Sequence, residues 1–143
     1  MYESCLQKQD AVKQLFAHCN DNDSKYQKII ELGRELSSLP AEDQVDANLV
    51  RGCQSRMYLT SRLENGRVLF EAQSDSLISS GLAVLMLKVY SGETPETILK
   101  CEPRYLEELG INASLTMNRA NGLASLHLRM KQDALKFLMQ GGI

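Results

Sequence analysis

The chain has 143 residues, of which 43% are hydrophobic and 24% are charged, and its formal net charge is −2 at pH 7. This composition is typical of one globular domain, and the lack of any block of five or more basic residues argues against a nucleic-acid-binding surface. The longest apolar run, Gly81–Leu87, is much shorter than the about 20 residues that span a membrane. Because the N-terminus also lacks a signal-peptide pattern, we expect a single cytoplasmic domain over residues 1–143, with reduced cysteines.

Two helices are predicted in the first third of the chain. The composition favours a helix from about Ser4 to Cys19, with a weak apolar stripe. Ser24 is the expected N-cap of a second helix, whose apolar residues recur every three or four positions as far as Leu36. The polar and acidic stretch 41–48 that follows is expected to be an exposed loop.

A β-hairpin is the clearest local signal in the sequence. Residues 56–63 and 68–72 alternate apolar and polar side chains on either side of Asn65-Gly66. Asn-Gly between two alternating runs is typical of a tight hairpin turn. Leu49-Val50 is predicted to form a further short strand before the hairpin, so we expect a small antiparallel sheet of about three strands.

Four helices are predicted after the hairpin. Ser74-Asp75 is expected to open a long helix with a buried apolar stripe. Two short helices follow, beginning near Pro95 and Pro103, and the last helix begins near Thr116 or Asn118. Strands grouped together between runs of helix are typical of the α+β class.

Cys53 has the most informative surroundings of the four cysteines. It follows Gly52, whose missing Cβ leaves the backbone free to turn, and it precedes the first strand of the hairpin. Arg51 and Arg56 lie close to it in sequence, and cations near a thiol lower its pKa. A free cysteine is also often an inert core residue. From these residues alone, Cys53 is either a reactive thiol on a loop or a small hydrophobic side chain.

Other candidate residues have mainly structural interpretations. Cys19 and Cys101 are expected to pack in the core, and Cys5 is expected to lie at a frayed terminus where its thiol is incidental. Asp75 is expected to cap the helix that it opens. Arg119 lies in the first turn of the last helix, where a cation opposes the helix dipole. Such an unfavourable placement suggests that Arg119 has a partner or a function.

Motifs of other functional classes do not occur in the sequence. There is no C-x-x-C pair, Gly-rich phosphate loop or H-E-x-x-H motif. His127 is expected to be a hydrogen-bonded histidine on the core face of the last helix. The chemistry read from single residues therefore ends at one candidate nucleophile on a small α+β scaffold.

Six short motifs follow one another along the chain. They are Tyr26–Gly33, Val50–Ser55, Ser74-Asp75, Gly81-Leu82, Tyr90–Leu99 and Asn118–Leu123. Taken together, and in this order from about Val12 to Leu138, they resemble the SufE family of sulfur-acceptor proteins.

The resemblance implies a SufE/IscU-like fold, with a small antiparallel sheet flanked by helices. It implies that Cys53 carries sulfur as a persulfide, and that Gly52, Gln54, Asp75 and Arg119 are supporting or partner-binding residues. The implied sulfur donor is a cysteine desulfurase of the SufS or CsdA type, which depends on pyridoxal phosphate and which this chain stimulates. The implied acceptor is an iron–sulfur scaffold complex of the SufBCD type. We expect no cofactor or metal on this chain, which acts as a partner rather than a stand-alone enzyme, and we expect a monomer or weak homodimer.

Two alternative functions remain open. An iron–sulfur scaffold of the IscU type needs several converging thiolates, so Cys19 and Cys101 would have to meet Cys53. A non-catalytic adapter would activate a desulfurase without using Cys53 at all.

Overall fold

The computed structural model describes residues 2–53 and 55–141, which form six α-helices and one two-stranded antiparallel sheet. The helices are α1 (Glu3–Leu15), α2 (Asn22–Arg34), α3 (Leu77–Tyr90), α4 (Pro95–Lys100), α5 (Arg104–Glu108) and α6 (Met117–Gly141). The strands are β1 (Met57–Glu64) and β2 (Arg67–Ser74), and short 3-10 helices lie at Ala41–Asp43, Asp46–Asn48 and Asn112–Ser114. The expected α+β class with a small sheet flanked by helices is confirmed. No helix in these residues combines the length and hydropathy of a membrane span.

Helix α3 lies at the centre of the fold because it is apolar on nearly all sides. It contacts α1, α2, α6 and β2, and most of its residues are buried. Helices α2 and α3 cross where each carries a glycine, Gly33 on α2 and Gly81 on α3. A methyl group on Gly81 would lie 1.9 Å from the Ile29 carbonyl oxygen, and one on Gly33 would lie 2.2 Å from the Leu77 carbonyl oxygen. The two helix backbones therefore pack in direct contact.

The predicted hairpin is confirmed. Strands β1 and β2 pair in antiparallel register along their full lengths. Asn65 and Gly66 have φ angles of 52° and 78°, as a two-residue hairpin turn requires. Alternate side chains, among them Leu59, Phe70 and Ala72, are buried in the core, which joins the hairpin to the helices.

The expected third strand does not form in the described residues, so the prediction of about three strands is wrong. Leu49 makes one isolated antiparallel bridge with Tyr58, and the Val50 N–H donates to the Met57 carbonyl at 2.8 Å. The φ angle of Gly52 is +91°. This left-handed conformation turns the chain away from β1 before the ladder can continue.

Several predicted boundaries near the N-terminus need correction. Asp21, not Ser24, caps α2: its carboxylate accepts from the Ser24 N–H at 2.7 Å, and the Ser24 hydroxyl accepts from the Asp21 N–H. Helix α1 ends at Leu15 rather than Cys19, because its last turn tightens into hydrogen bonds between residues three apart. The stretch 41–48 is largely exposed as predicted, although it contains two 3-10 helices.

His127 lies on α6 and packs against the core, but it is not hydrogen-bonded as expected. Its ring stacks on Tyr90 with centroids 5.4 Å apart, and its Nε2 atom is buried without a hydrogen-bond partner in the described residues. Burial, with a smaller effect from Lys131, lowers the pKa of His127 to about 4. The imidazole is therefore neutral at pH 7.

Candidate functional site

The loop that carries Cys53 is fastened to the hairpin at both ends. At its start, Val50 donates to the Met57 carbonyl. At its end, the Arg56 N–H donates to Asp75 Oδ1 at 3.1 Å, and the Asp75 N–H donates to the Arg56 carbonyl at 3.2 Å. Cys53 therefore lies on a short segment between two fixed points.

Asp75 makes the two hydrogen bonds at the end of the loop and does not cap α3. The N-cap is Ser76, whose hydroxyl accepts from the Ser79 N–H. The helix begins one residue later than the sequence suggested, so the Asp75 carboxylate is directed to the backbone of Arg56 instead. Gln54, another residue singled out from the sequence, lies outside the described residues.

The Cys53 thiol is half-buried and contacts α6. Its Sγ donates to the Gly122 carbonyl at 3.5 Å. Desolvation by this burial raises the pKa of Cys53. The prediction that Arg51 and Arg56 lower this pKa is wrong, because both arginines are exposed to solvent while the thiol is turned inward. In this position Cys53 is a protonated thiol at neutral pH and hence a weak nucleophile.

A small cavity lies beside the Cys53 sulfur. Its volume is about 50 Å³, which exceeds the roughly 10–15 Å³ of accessible space that one water molecule needs. Its walls come from α3, α6, the start of β1 and the loop. They include Ser55, Met57, Ser79, Leu82, Asn118, Arg119, Gly122 and Leu123. The cavity is thus large enough for one additional atom of sulfur size on Cys53.

Arg119 supplies the positive charge at this cavity. It lies in the first turn of α6, as predicted, and its Nε atom is buried without a hydrogen-bond partner among residues 2–53 and 55–141. An unsatisfied buried donor is unfavourable by about 1–3 kcal/mol, more for a charged group. Arg119 therefore places a cation with an unsatisfied buried donor on the α6 wall of the cavity.

Cys53 also borders an open groove on the outer side of the loop. This groove has a volume of about 370 Å³ and is lined by Arg51, Arg56 and Asp75 as well as by Cys53. The thiol therefore lies between a small inner cavity and a wide, charged outer groove.

Gly52 lets the loop rest directly on α6. With φ at +91°, it occupies a conformation that residues with a Cβ avoid. A methyl group there would lie 2.4 Å from Ser125 Oγ. Glycine is therefore needed at this position both for the backbone conformation and for the close approach.

The other cysteines lie apart from this site. Cys5 and Cys101 are buried together, with the Gln9 side-chain nitrogen 3.8 Å from one sulfur and 3.5 Å from the other. Burial, reinforced by Cys101, raises the pKa of Cys5 to about 12. Cys101 packs in the core as predicted, whereas the expectation that Cys5 lies at a frayed terminus is wrong because α1 packs it against the core. Cys19 is half-buried at the core edge.

The positions of the cysteines can be compared with what an iron–sulfur scaffold of the IscU type needs. Among the described residues, no three His, Cys, Asp or Glu side chains converge in a way that could hold a metal ion. The arrangement of donors that a cluster scaffold needs is therefore not found in this part of the chain.

Two contributors to the site were not singled out as candidate residues from the sequence, although Gly122 lies within the Asn118–Leu123 motif. The Gly122 carbonyl and Ser125 both act on the Cys53 loop from α6. Helical spacing gave one usable signal, because residues 119, 122 and 126 share a face of the helix. Nothing in the sequence shows that this face meets the Cys53 loop.

Comparisons with known proteins agree on one family. The family model described as "SufE: Fe-S metabolism associated domain" matches residues 10–134. An uncharacterized SufE-like protein from Synechocystis sp. is 33% identical over 122 residues, which cover 85% of this chain and 77% of that protein. SufE-like protein 1, chloroplastic/mitochondrial, from Arabidopsis thaliana is 33% identical over 93% of this chain and 36% of its own length.

One more relative and a solved structure are also similar to this chain. Cysteine desulfuration protein SufE from Plasmodium falciparum is 32% identical over 75% of this chain, and the match covers 45% of that protein. The chain therefore spans less than half of this relative and of the Arabidopsis one. The solution structure of a hypothetical protein from Thermus thermophilus superposes with a TM-score of 0.75 at 22% identity, covering 92% of this chain and 96% of that one. This match shows that the two chains share a fold.

Proposed function

Because this chain belongs to the SufE family, we propose that Cys53 accepts sulfur from a cysteine desulfurase and passes it to an iron–sulfur assembly complex. The family places the chain in sulfur transfer related to iron–sulfur metabolism. The observation that carries the proposal is the position of the Cys53 sulfur, between a cavity of about 50 Å³ and an open groove. A sulfur carrier needs one place to receive its cargo and another to shelter it.

The proposed uptake step is a thiol exchange. The desulfurase holds a persulfide on its own cysteine, and the Cys53 thiolate attacks the outer sulfur of that persulfide. A bond forms between Cys53 Sγ and the outer sulfur, the sulfur–sulfur bond of the donor breaks, and the donor cysteine leaves as a thiolate. The exchange has no net oxidation, so neither an electron acceptor nor a metal is needed on this chain.

The loop controls when Cys53 reacts. In the inward position the thiol is desolvated, protonated and bonded to the Gly122 carbonyl. Moving it into the outer groove restores hydration and brings it toward Arg51 and Arg56, which favour the thiolate. Docking of the desulfurase on this face would supply the contacts that draw the loop outward.

After uptake, the inward position shelters the product. The terminal sulfur of a Cys53 persulfide carries negative charge at neutral pH, and the positively charged Arg119 lines the cavity. A charge-assisted hydrogen bond there holds the sulfur away from solvent thiols. Asp75 and Gly52 contribute by fixing the end of the loop and its approach to α6.

The partners follow from this chemistry. A desulfurase of the SufS or CsdA type supplies the persulfide, and removal of that sulfur frees the donor for its next turnover. A SufBCD-like scaffold complex takes the sulfur onward. We place the protein in the cytoplasm as a monomer or weak homodimer, where reducing conditions keep Cys53 free to react.

Desulfurase turnover tests the proposal. Wild-type protein, Cys53→Ser and the matched control Cys19→Ser are each added to desulfurase and free cysteine, and alanine release is followed. Wild type and Cys19→Ser should stimulate turnover, and Cys53→Ser should not. Full stimulation by Cys53→Ser would favour the adapter function instead.

A further inference from the structure

Arg129 on α6 holds the segment that leads into the Cys53 loop. Its Nη2 atom donates to the Ala47 carbonyl at 2.7 Å, and its Nη1 atom donates to the Leu49 carbonyl at 3.1 Å. These acceptors lie 82 and 80 residues away in sequence. The guanidinium fork suits this task because its nitrogens are fixed in one plane and reach two carbonyls at once.

Asp133 holds the guanidinium of Arg129 in place. Its Oδ1 accepts from Arg129 Nε at 3.2 Å, and its Oδ2 accepts from the Ser61 hydroxyl at 2.9 Å. Asp133 is only 7% exposed, so its charge is weakly screened and both of its oxygens are used. The network therefore ties α6, strand β1 and residues 47–49 together.

Arg129 adds to a short link between this segment and the sheet. That link consists of one isolated bridge of Leu49 with Tyr58 and the hydrogen bond from the Val50 N–H to the Met57 carbonyl, without a continuing ladder. On the same helix, Ser125 lies beneath Gly52, one turn before Arg129. Helix α6 thus contacts this part of the chain at two places: Ser125 lies against Gly52, and Arg129 binds the carbonyls of residues 47 and 49.

Resting on the proposed function, we propose that Arg129, oriented by Asp133, is a positioning residue that fixes the start of the Cys53 loop during sulfur transfer. With residues 47–49 fixed, only the part of the loop that follows them moves when Cys53 passes between the inner cavity and the outer groove. Without this support, the segment separates from β1 more often and the inner position protects Cys53 less well.

Arg129→Gln tests the proposal in the full chain without a desulfurase. We expect Cys53 to be alkylated by iodoacetamide about tenfold faster than in wild type, since two charge-assisted hydrogen bonds to the segment are lost. Hydrogen exchange of the Val50 amide should accelerate by a similar factor. Arg67→Gln is the matched control, because Arg67 also donates to a backbone carbonyl, that of Gly92 at 3.1 Å, at the other end of the hairpin.

Conservative variants separate positioning from general stability. Arg129→Lys keeps the charge but lacks the planar fork, so alkylation of Cys53 should fall between wild type and Arg129→Gln. Asp133→Asn should also accelerate alkylation, by a smaller factor than Arg129→Gln. If Arg129→Gln does not fold, these two variants decide the question in the same assays. Unchanged alkylation and Val50 exchange, beside a lower melting temperature, would show that Arg129 is merely structural.

A final measurement links the support to sulfur transfer. Cys53 persulfide, loaded by desulfurase and cysteine, should lose its sulfur to added glutathione several-fold faster in Arg129→Gln than in Arg67→Gln. Equal lifetimes would overturn the positioning role. If wild-type Cys53 takes up no sulfur, the proposed function fails, while alkylation and exchange still decide whether Arg129 fixes the loop.

Discussion

Gly52→Ala tests whether the inward loop position is what shields Cys53. An alanine at φ +91° carries left-handed strain of about 1–2 kcal/mol. Its methyl group would lie 2.4 Å from Ser125 Oγ and 3.2 Å from Ser125 Cβ, and relieving such an overlap costs about 1–3 kcal/mol more. Both costs, together about 2–5 kcal/mol, fall on the inward position. The overlap exists only where the loop rests on α6, and the strain is relieved when residue 52 can leave its φ of +91°.

A shift of 1.4 kcal/mol changes an equilibrium tenfold. We therefore expect Gly52→Ala to raise the rate of Cys53 alkylation by more than about tenfold at fixed pH. The assay is iodoacetamide labelling below saturation, with the modified peptides quantified by mass spectrometry. Cys5 in the same sample is an internal control, because its deep burial should keep it unlabelled in both proteins.

A second experiment removes the overlap with Ser125 while the backbone strain at residue 52 stays. The double variant Gly52→Ala with Ser125→Gly keeps the backbone strain but loses the contact, so the rate should return part of the way to that of wild type. Ser125→Gly alone should label close to the wild-type rate. If Gly52→Ala lowers the melting temperature yet leaves Cys53 labelling unchanged, the inward loop position is not what protects the thiol.

Three further predictions concern charge. The alkylation rate of Cys53 should reach its half-maximum at a pH above the roughly 8.5 of a free thiol, since burial raises its pKa; the same midpoint in folded and urea-unfolded protein would contradict this. Arg119→Gln should shorten the lifetime of the Cys53 persulfide several-fold in the presence of glutathione, while the exposed control Lys136→Gln should leave it unchanged; equal lifetimes would exclude a role for Arg119. The free energy of unfolding should fall by on the order of 3 kcal/mol as the pH drops from about 6.5 to about 4. In this window the unfolded state binds a proton on His127 that the folded state does not. Urea titrations should show a smaller loss in His127→Phe than in wild type, and the same loss in both would refute the prediction.

Local signals predicted the elements of the fold that depend on near neighbours. The hairpin followed from Asn65-Gly66 between alternating residues, because turn geometry and side-chain alternation are set within a few positions. Helix α3 followed from its apolar composition. The third strand was predicted wrongly, because the bend at Gly52 outweighs the apolar character of Leu49-Val50.

The candidate site was predictable in its residues but not in its electrostatics. Cys53, Gly52, Asp75 and Arg119 were all singled out, and they lie on or beside one loop. The direction of the Cys53 pKa shift was wrong, because the sequence shows the neighbouring arginines but not the burial by α6. The contact that causes this burial joins residues 69 apart. The hydrogen bonds of Arg129 to residues 47 and 49 were missed for the same reason, because they join residues 80 and 82 apart.

The mass of the Cys53 peptide after reaction tests the central proposal most directly. Full-length protein is incubated with desulfurase and free cysteine, alkylated without reductant, digested and analysed by mass spectrometry. The Cys53 peptide should carry the added mass of one or more sulfur atoms, and the Cys19 and Cys101 peptides should not. Persulfide on Cys19 or Cys101, with Cys53 unmodified, would contradict the assignment of Cys53 as the sulfur carrier.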